Sequence, residues 1–251
     1  MTRELENRIA VVTGASRGIG KYAAIGLARN GAHVIALART QGGLEELDDE
    51  IKSAGGSATL VPADIKDFPA LDRLGAAIYE RWGKLDILIG NAGILGKLSP
   101  LGHIEPKTWD EVMAVNVTAN WRLIRSLDPL LKRSDDGRAI FVTSGQAYKT
   151  TAYWGPYSTS KAALEALVGT YVAESAQTTV SVNMFSPGPT RTRMRAQAMP
   201  GEDPEIVPSA ETVAEQLVQM CLPDFRAVRG ATYRYAPTGL FKFKRPAEPA
   251  Q

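Results

Sequence analysis

Six short, nearly unbroken apolar runs punctuate the chain, at residues 9–13, 33–38, 58–61, 87–89, 139–143 and 179–185. They do not alternate polar with apolar, which is the pattern of strands covered on both faces. Longer stretches of helical character separate them, at 18–30, 43–54, 69–82, 106–132 and 157–176. Asn30-Gly31 and Ala54-Gly55-Gly56 are good helix stops, because glycine tolerates the left-handed cap. Strand and helix in strict alternation predict an α/β fold, a doubly wound parallel sheet with right-handed crossovers and helices on both faces.

The pattern changes after Phe185. Residues 187–208 are rich in Pro, Arg and Met with no clear period, and read as a loop or a pair of short helices of the kind that covers a site. A helix at 210–222 and a last strand at 231–235 follow, and the Pro-containing tail, 240–251, is expected to be poorly ordered. Neither an internal repeat nor an interdomain linker is visible, so residues 1–251 read as one nucleotide-binding domain.

Composition narrows the function. Twenty-nine basic and 27 acidic residues nearly balance, and the one basic run, 242–245, sits in the tail. Such a chain lacks the clustered excess of Lys and Arg that a nucleic-acid surface needs. No stretch approaches a membrane span and the first residues are polar, so the expected compartment is the cytoplasm. One cysteine, Cys221, reads as an inert thiol in an apolar helical stretch, and with two histidines it cannot form a Cys/His metal cluster.

The first strand runs into Thr13-Gly14-Ala15-Ser16-Arg17-Gly18-Ile19-Gly20, and an Ala-rich helix follows. Gly14 permits the tight turn, Gly18 lets backbone amides approach a pyrophosphate, and Gly20 lets helix pack closely on strand. The helix N-terminus offers free N–H groups to the anion. The end of the second strand carries no acid to bind ribose hydroxyls. Arg39 stands there instead and, with Arg17, suits a ribose 2′-phosphate, which predicts NADP(H) in preference to NAD(H). Asp64 and Ile65 follow the third strand; the carboxylate is either an acceptor for an adenine amino group or a turn aspartate.

Tyr157-Ser-Thr-Ser-Lys161 places a phenol and an ammonium one helical turn apart. A nearby cation stabilises a phenolate and brings a tyrosine toward useful acid–base range. Ser144 ends the fifth strand, at the sheet edge where ligands bind in open α/β folds, and its hydroxyl can hold a carbonyl oxygen. Asn116 lies on an otherwise apolar helical face and is either a satisfied core amide or the organiser of a polar network.

With these residues in view, the chain resembles the short-chain dehydrogenase/reductase family over nearly its whole length. Thr13-Gly14-x-x-x-Gly18-x-Gly20, Asn91-Ala92-Gly93, Asn116, Ser144, Tyr157-x-x-x-Lys161 and Pro187-Gly188-x-x-x-Thr192 occur in family order and spacing. The resemblance implies a Rossmann-like sheet of about seven strands and a catalytic tetrad of Asn116, Ser144, Tyr157 and Lys161. Tyr157 would move the proton, Lys161 would also bind the nicotinamide ribose, and Asn116 would hold a water in a relay with Lys161. Asn91, Ala92 and Gly93 would line the cofactor, and Pro187, Gly188, Thr190 and Thr192 would meet its nicotinamide amide and phosphates. Gly90 departs from the family, many of whose members carry a second Asn there.

The expected activity is therefore hydride transfer between NADP(H) and a small-molecule carbonyl or alcohol, without metal. The resemblance is to the members that reduce 3-oxoacyl groups on acyl carrier protein, and that specific activity is an alternative. Asp135-Asp136 and Thr178-Thr179, however, stand where such reductases carry basic docking residues. A non-catalytic NADP-sensing regulator is the alternative outside enzymes, and the complete Ser144, Tyr157, Lys161 set counts against it. The arginines at 191, 193 and 195 either contact substrate, contact cofactor phosphates or are solvated, and Tyr148, Tyr153 and Trp154 either wall the pocket or pack. The resemblance also implies a homotetramer paired through the 106–132 and 157–176 helices.

Overall fold

The computed structural model describes residues 3–149 and 151–243. Its core is a single sheet of eight strands in the order β3-β2-β1-β4-β5-β6-β7-β8. These are β1 (Ile9–Thr13), β2 (His33–Ala38), β3 (Ser57–Pro62), β4 (Ile87–Gly90), β5 (Arg138–Val142), β6 (Ser181–Ser186), β7 (Thr232–Arg234) and β8 (Phe241–Phe243). The first seven pair in parallel, as the apolar runs predict, and β8 adds an antiparallel edge to β7. The sheet thus has eight strands rather than seven, because part of the segment read as tail forms β8. Residues 244–251 lie outside the described residues.

The helices are α1 (Gly18–Arg29), α2 (Gln41–Ser53), α3 (Phe68–Trp82), α4 (Pro106–Met113), α5 (Ala119–Leu131), α6 (Gly155–Glu174), α7 (Arg193–Ala198) and α8 (Ala210–Gln219). Alternate sheet residues face opposite layers. Val12, Ile140 and Phe185 meet α1, α2 and α8 on one side, while Val11, Phe141 and Met184 meet α3, α5 and α6 on the other. Helix α3 shows how the sequence sets an element. Asp67 caps it by accepting from the Ala70 N–H at 3.0 Å, Pro69 starts it, and Gly83 ends it at φ 70°. Leu71, Leu74 and Ile78 recur on one face and are buried, each worth about 2 kcal/mol of apolar transfer.

The segment expected as one helix over 106–132 is divided. A π-helical turn, Ala114–Thr118, separates α4 from α5. Its sequence keeps an apolar period, so the change of winding leaves no mark in the pattern. The 187–208 segment holds α7 and a 3-10 turn at Pro204–Ile206, and a bridge between Arg191 and Ser209 closes its base.

At the N-terminal edge of the sheet, Asp86 is fully buried. It accepts from the Ser134 hydroxyl at 2.6 Å, the Ile9 N–H at 2.9 Å, and Arg8 and Lys84 at 2.9 Å each. Burial opposes its charge, but these four donors outweigh that and hold its carboxyl below the usual carboxylate range. Asp135 pairs with Arg8, and Asp136 with Arg138 at 2.5 Å, so both acids are committed to ion pairs within the fold. Cys221 is buried just after α8, where burial pushes its thiol up to about 12, as expected for an inert thiol. No helix among the described residues is long and apolar enough to cross a membrane.

Candidate active site

The strand order reverses between β1 and β4, and a cleft of about 1200 Å³ opens over the C-terminal ends of the strands there. Loops after β1, β2 and β3 form one half of it, and loops after β4, β5 and β6, with the end of β7, the other. This is the crevice in which open α/β sheets bind ligands.

In the first half, Gly14 and Gly18 take φ of 66° and 58°, open to glycine and costly for other residues. A Cβ at Gly20 would lie 2.4 Å from the Gly14 carbonyl oxygen and 2.5 Å from Asn91 Nδ2, so α1 starts as close to β1 as a helix can. Ser16, Arg17 and Ile19 border the cleft between these glycines, with Arg17 extended at the N-cap of α1. Arg39 borders it just after β2, with the Asp64 carboxylate 4.0 Å from its guanidinium. Asp64 Oδ1 accepts from the Lys66 N–H at 2.9 Å, which is the turn role, and Ile65 beside it is buried.

Thr13 joins the halves, a contribution that the motif reading passed over. Its hydroxyl accepts from the N–H groups of Asn91 and Ala92, both at 3.0 Å, and Asn91 Nδ2 donates to the Thr13 carbonyl at 2.8 Å. The end of β4 is thereby tied to the glycine loop. At Gly90 a Cβ would lie 2.5 Å from the Phe141 ring and 2.7 Å from Asn120 Oδ1, so no side chain fits where relatives carry Asn.

Asn116 sits in the π turn with every side-chain polar atom engaged. Oδ1 accepts from the Ile94 N–H, and Nδ2 donates to the Ile94 carbonyl and to Ser160 Oγ, all at 2.9 Å. Its backbone carbonyl accepts from Asn120 Nδ2 at 2.9 Å. A Cβ on Gly93 would stand 3.3 Å from Asn116 Oδ1 and 3.7 Å from Lys161 Nζ, so this glycine lies between the two. The amide organises the segment after β4 through protein atoms.

Tyr157 and Lys161 project from the first turns of α6, and both are buried. Lys161 Nζ donates to the Val142 carbonyl at 2.8 Å and lies 5.8 Å from the centre of the Tyr157 ring. Burial pushes the ammonium down to about 8, although Glu165 one turn further on pulls the other way. Burial holds the Tyr157 phenol above its ordinary value, against a hydrogen bond with Ser144 that lowers it. The expected lowering of Tyr157 by Lys161 is therefore not what the chain alone produces, since the ammonium is turned to the end of β5. Glu165 is itself buried and accepts from Thr143 Oγ1 at 2.7 Å.

The segment after β6 closes the cleft. Gly188 takes φ 67°, Thr190 donates weakly to the Pro187 and Gly188 carbonyls, and Thr192 caps α7 through the Arg195 N–H at 3.2 Å. The Thr192 methyl group lies 3.6 Å from where a Cβ on Gly18 would stand, which brings this segment onto the glycine loop. Trp154 borders the cleft edge-on to Tyr157, whereas Tyr148 stacks on Phe243 and Tyr153 is exposed. Of the predicted catalytic and cofactor-binding residues, Gly20 and Asn116 stand behind the wall and the rest border the cleft, while the candidate wall residues Tyr148 and Tyr153 do not.

Against known proteins, the family model described as short chain dehydrogenase matches residues 8–203. The chain belongs to the short-chain dehydrogenase family. This family membership makes it an oxidoreductase with a Rossmann-like fold. It is 35% identical over 236 residues to the uncharacterized oxidoreductase YciK of Escherichia coli K12, covering 93% of each chain. It is 36% identical over 197 residues to the uncharacterized NAD-dependent oxidoreductase Rv0687 of Mycobacterium tuberculosis, covering 73% of this chain and 71% of the other. A short chain dehydrogenase of E. coli CFT073, solved in complex with NADPH, superposes with a TM-score of 0.88 at 34% identity, covering 94% of this chain and all of that one.

Proposed function

We propose that this short-chain dehydrogenase interconverts a carbonyl and an alcohol with NADP(H), using Tyr157 as the proton donor and acceptor. The observation that carries the reading is the convergence on one cleft of the buried Tyr157 phenol, Ser144 just after β5 and Lys161 one turn along α6. The first half of the cleft fits a dinucleotide. The glycine loop leaves a cradle that a Cβ at Gly20 would destroy, and the N-terminus of α1 faces it. Ser16, Ile19, Asp64, Ile65 and the Asn91-Ala92-Gly93 segment would line the bound cofactor, with Pro187, Gly188, Thr190 and Thr192 opposite.

Arg17 and Arg39 favour the 2′-phosphate form. Both border the cleft; Arg17 has no ion pair among the described residues, and Arg39 has only a long one, with Asp64 at 4.0 Å. Guanidinium groups left this way match a phosphate well. When bound, the nicotinamide supplies or accepts the hydride.

The remaining chemistry falls to the chain. Ser144 holds the carbonyl oxygen toward Tyr157, a phenol kept protonated by burial and so poised to give its proton during reduction. Lys161 supplies positive charge beneath the phenol, and Asn116 fixes the segment after β4 that carries Gly93 beside Lys161. General acid catalysis of this kind contributes about 10²–10⁴-fold. The test is NADPH consumption with a panel of ketones, 3-oxoacyl thioesters and sugars, compared with NADH; turnover of no carbonyl, or a clear preference for NADH, overturns the reading.

A further inference from the structure

The charges around the cleft are divided by position. Its bordering carboxylates are Asp64, after β3, and Glu111 on α4, which pairs with Lys66 at 2.8 Å. Apart from Glu111, whose charge Lys66 meets, the charged side chains bordering the half above β4 to β7 are cations. Two arginines of the covering segment are neutralised, Arg195 by Glu202 at 2.5 Å and Arg191 by Glu205. Four other cations there, Lys97 after β4, Lys149 after β5, Arg193 on α7 and Arg234 at the end of β7, have no hydrogen bond or ion pair among the described residues.

Arg234 differs from the two lysines and Arg193, which are exposed. It is half-buried at the sheet edge, in register with Ser186, whose hydroxyl is buried and also unpaired among the described residues. Partial burial of a guanidinium without a counter-ion is costly unless a ligand supplies one. Beside this polar ground stands an apolar wall of Leu95, Tyr157 and Ala198, with Trp154 and Met194 packed on it. A site of this kind takes an amphipathic molecule with one anionic end.

We infer that the substrate of this enzyme carries an anionic group, a carboxylate or phosphate on an apolar body, and that Arg234 receives it while Lys97 and Lys149 draw it in. The inference rests on the reading of this cleft as a carbonyl-reducing site and names its substrate class. It also separates the roles of the basic residues, since the arginines paired with Glu202 and Glu205 hold the covering segment in place.

The test is binding, so that it stands apart from turnover. Hexanoate, hexyl phosphate and hexanamide are titrated by calorimetry into the protein saturated with NADP⁺, which occupies the cofactor phosphate sites. At least one anion is expected to bind about tenfold more tightly than the amide, and R234Q should reduce that advantage to about twofold or less. K149Q should weaken anion binding less than R234Q does, with an effect that shrinks in high salt. The better anion identifies the group as carboxylate or phosphate. Equal binding of all three ligands overturns the inference, as does an advantage that survives in R234Q with its thermal melt unchanged. Neither result bears on NADPH-dependent turnover of a neutral ketone, which tests the underlying reading separately.

Discussion

Lys161 gives its ammonium to the Val142 carbonyl at 2.8 Å, while the ring of Tyr157, one turn back on the same helix, is centred 5.8 Å away. Both groups are buried, and burial works against charge on each. The chain thus holds a protonated phenol above an ammonium that loses its proton near pH 8. An acid suited to carbonyl reduction results, with its supporting charge limited to pH below that value.

The pH dependence follows from the direction of the Lys161 shift. Its value falls from 10.5 to about 8, so the cation is present below pH 8 and lost above it. The kcat/KM for carbonyl reduction is expected to decline as pH rises through about 8. A steady-state profile that stays flat across that range contradicts the assignment.

Asp86 sets a prediction for stability. Its carboxyl lies below the ordinary value of 3.8 in the folded chain, so its contribution is full above that value and is lost as pH falls through the lower, folded one. Asp86→Asn removes the shared acceptor of Ser134, Arg8 and Lys84 and should cost about 3 kcal/mol at neutral pH. Urea unfolding from neutral to acidic pH checks both points, and the variant should show a shallower loss on the acid side.

Gly20→Ala tests the cradle. The added Cβ would meet the Gly14 carbonyl oxygen at 2.4 Å, and backbone at that distance has no easy retreat. NADPH affinity, read by fluorescence titration, should fall at least about tenfold. Unchanged affinity would mean that the loop does not carry the cofactor as proposed.

Arg39→Gln addresses cofactor choice. The exposed guanidinium just after β2 makes one ion pair among the described residues, a long one to Asp64 at 4.0 Å. Its removal should lower kcat/KM with NADPH by about tenfold or more and leave NADH nearly unaffected, since a charge-assisted contact to phosphate is worth about 1.5–3 kcal/mol. Equal losses with both cofactors would assign Arg39 a structural role.

The parallel sheet was legible in the sequence because its strands are buried on both faces and read as solid apolar runs. The glycine loop was legible for a similar reason: its spacing has one geometric solution between a strand and a helix. Other features were hidden. The π turn at Ala114–Thr118 keeps the helical apolar pattern, so its different winding cannot be seen. Strand β8 is only three residues long and lies in a segment whose Pro-containing sequence reads as tail. Arg234 was missed because only the register of β6 with β7 brings it beside Ser186. The engagement of Lys161 with Val142 depends on a rotamer, and residue spacing specifies none.

The most direct test of the account is Tyr157→Phe, which removes the phenol oxygen and keeps the ring that packs against Trp154. Single-turnover reduction of the best ketone by bound NADPH should slow by about 10²-fold or more, while NADPH affinity stays within a few-fold of the parent. Reduction at the parent rate by a folded, NADPH-loaded variant would contradict Tyr157 as the proton donor.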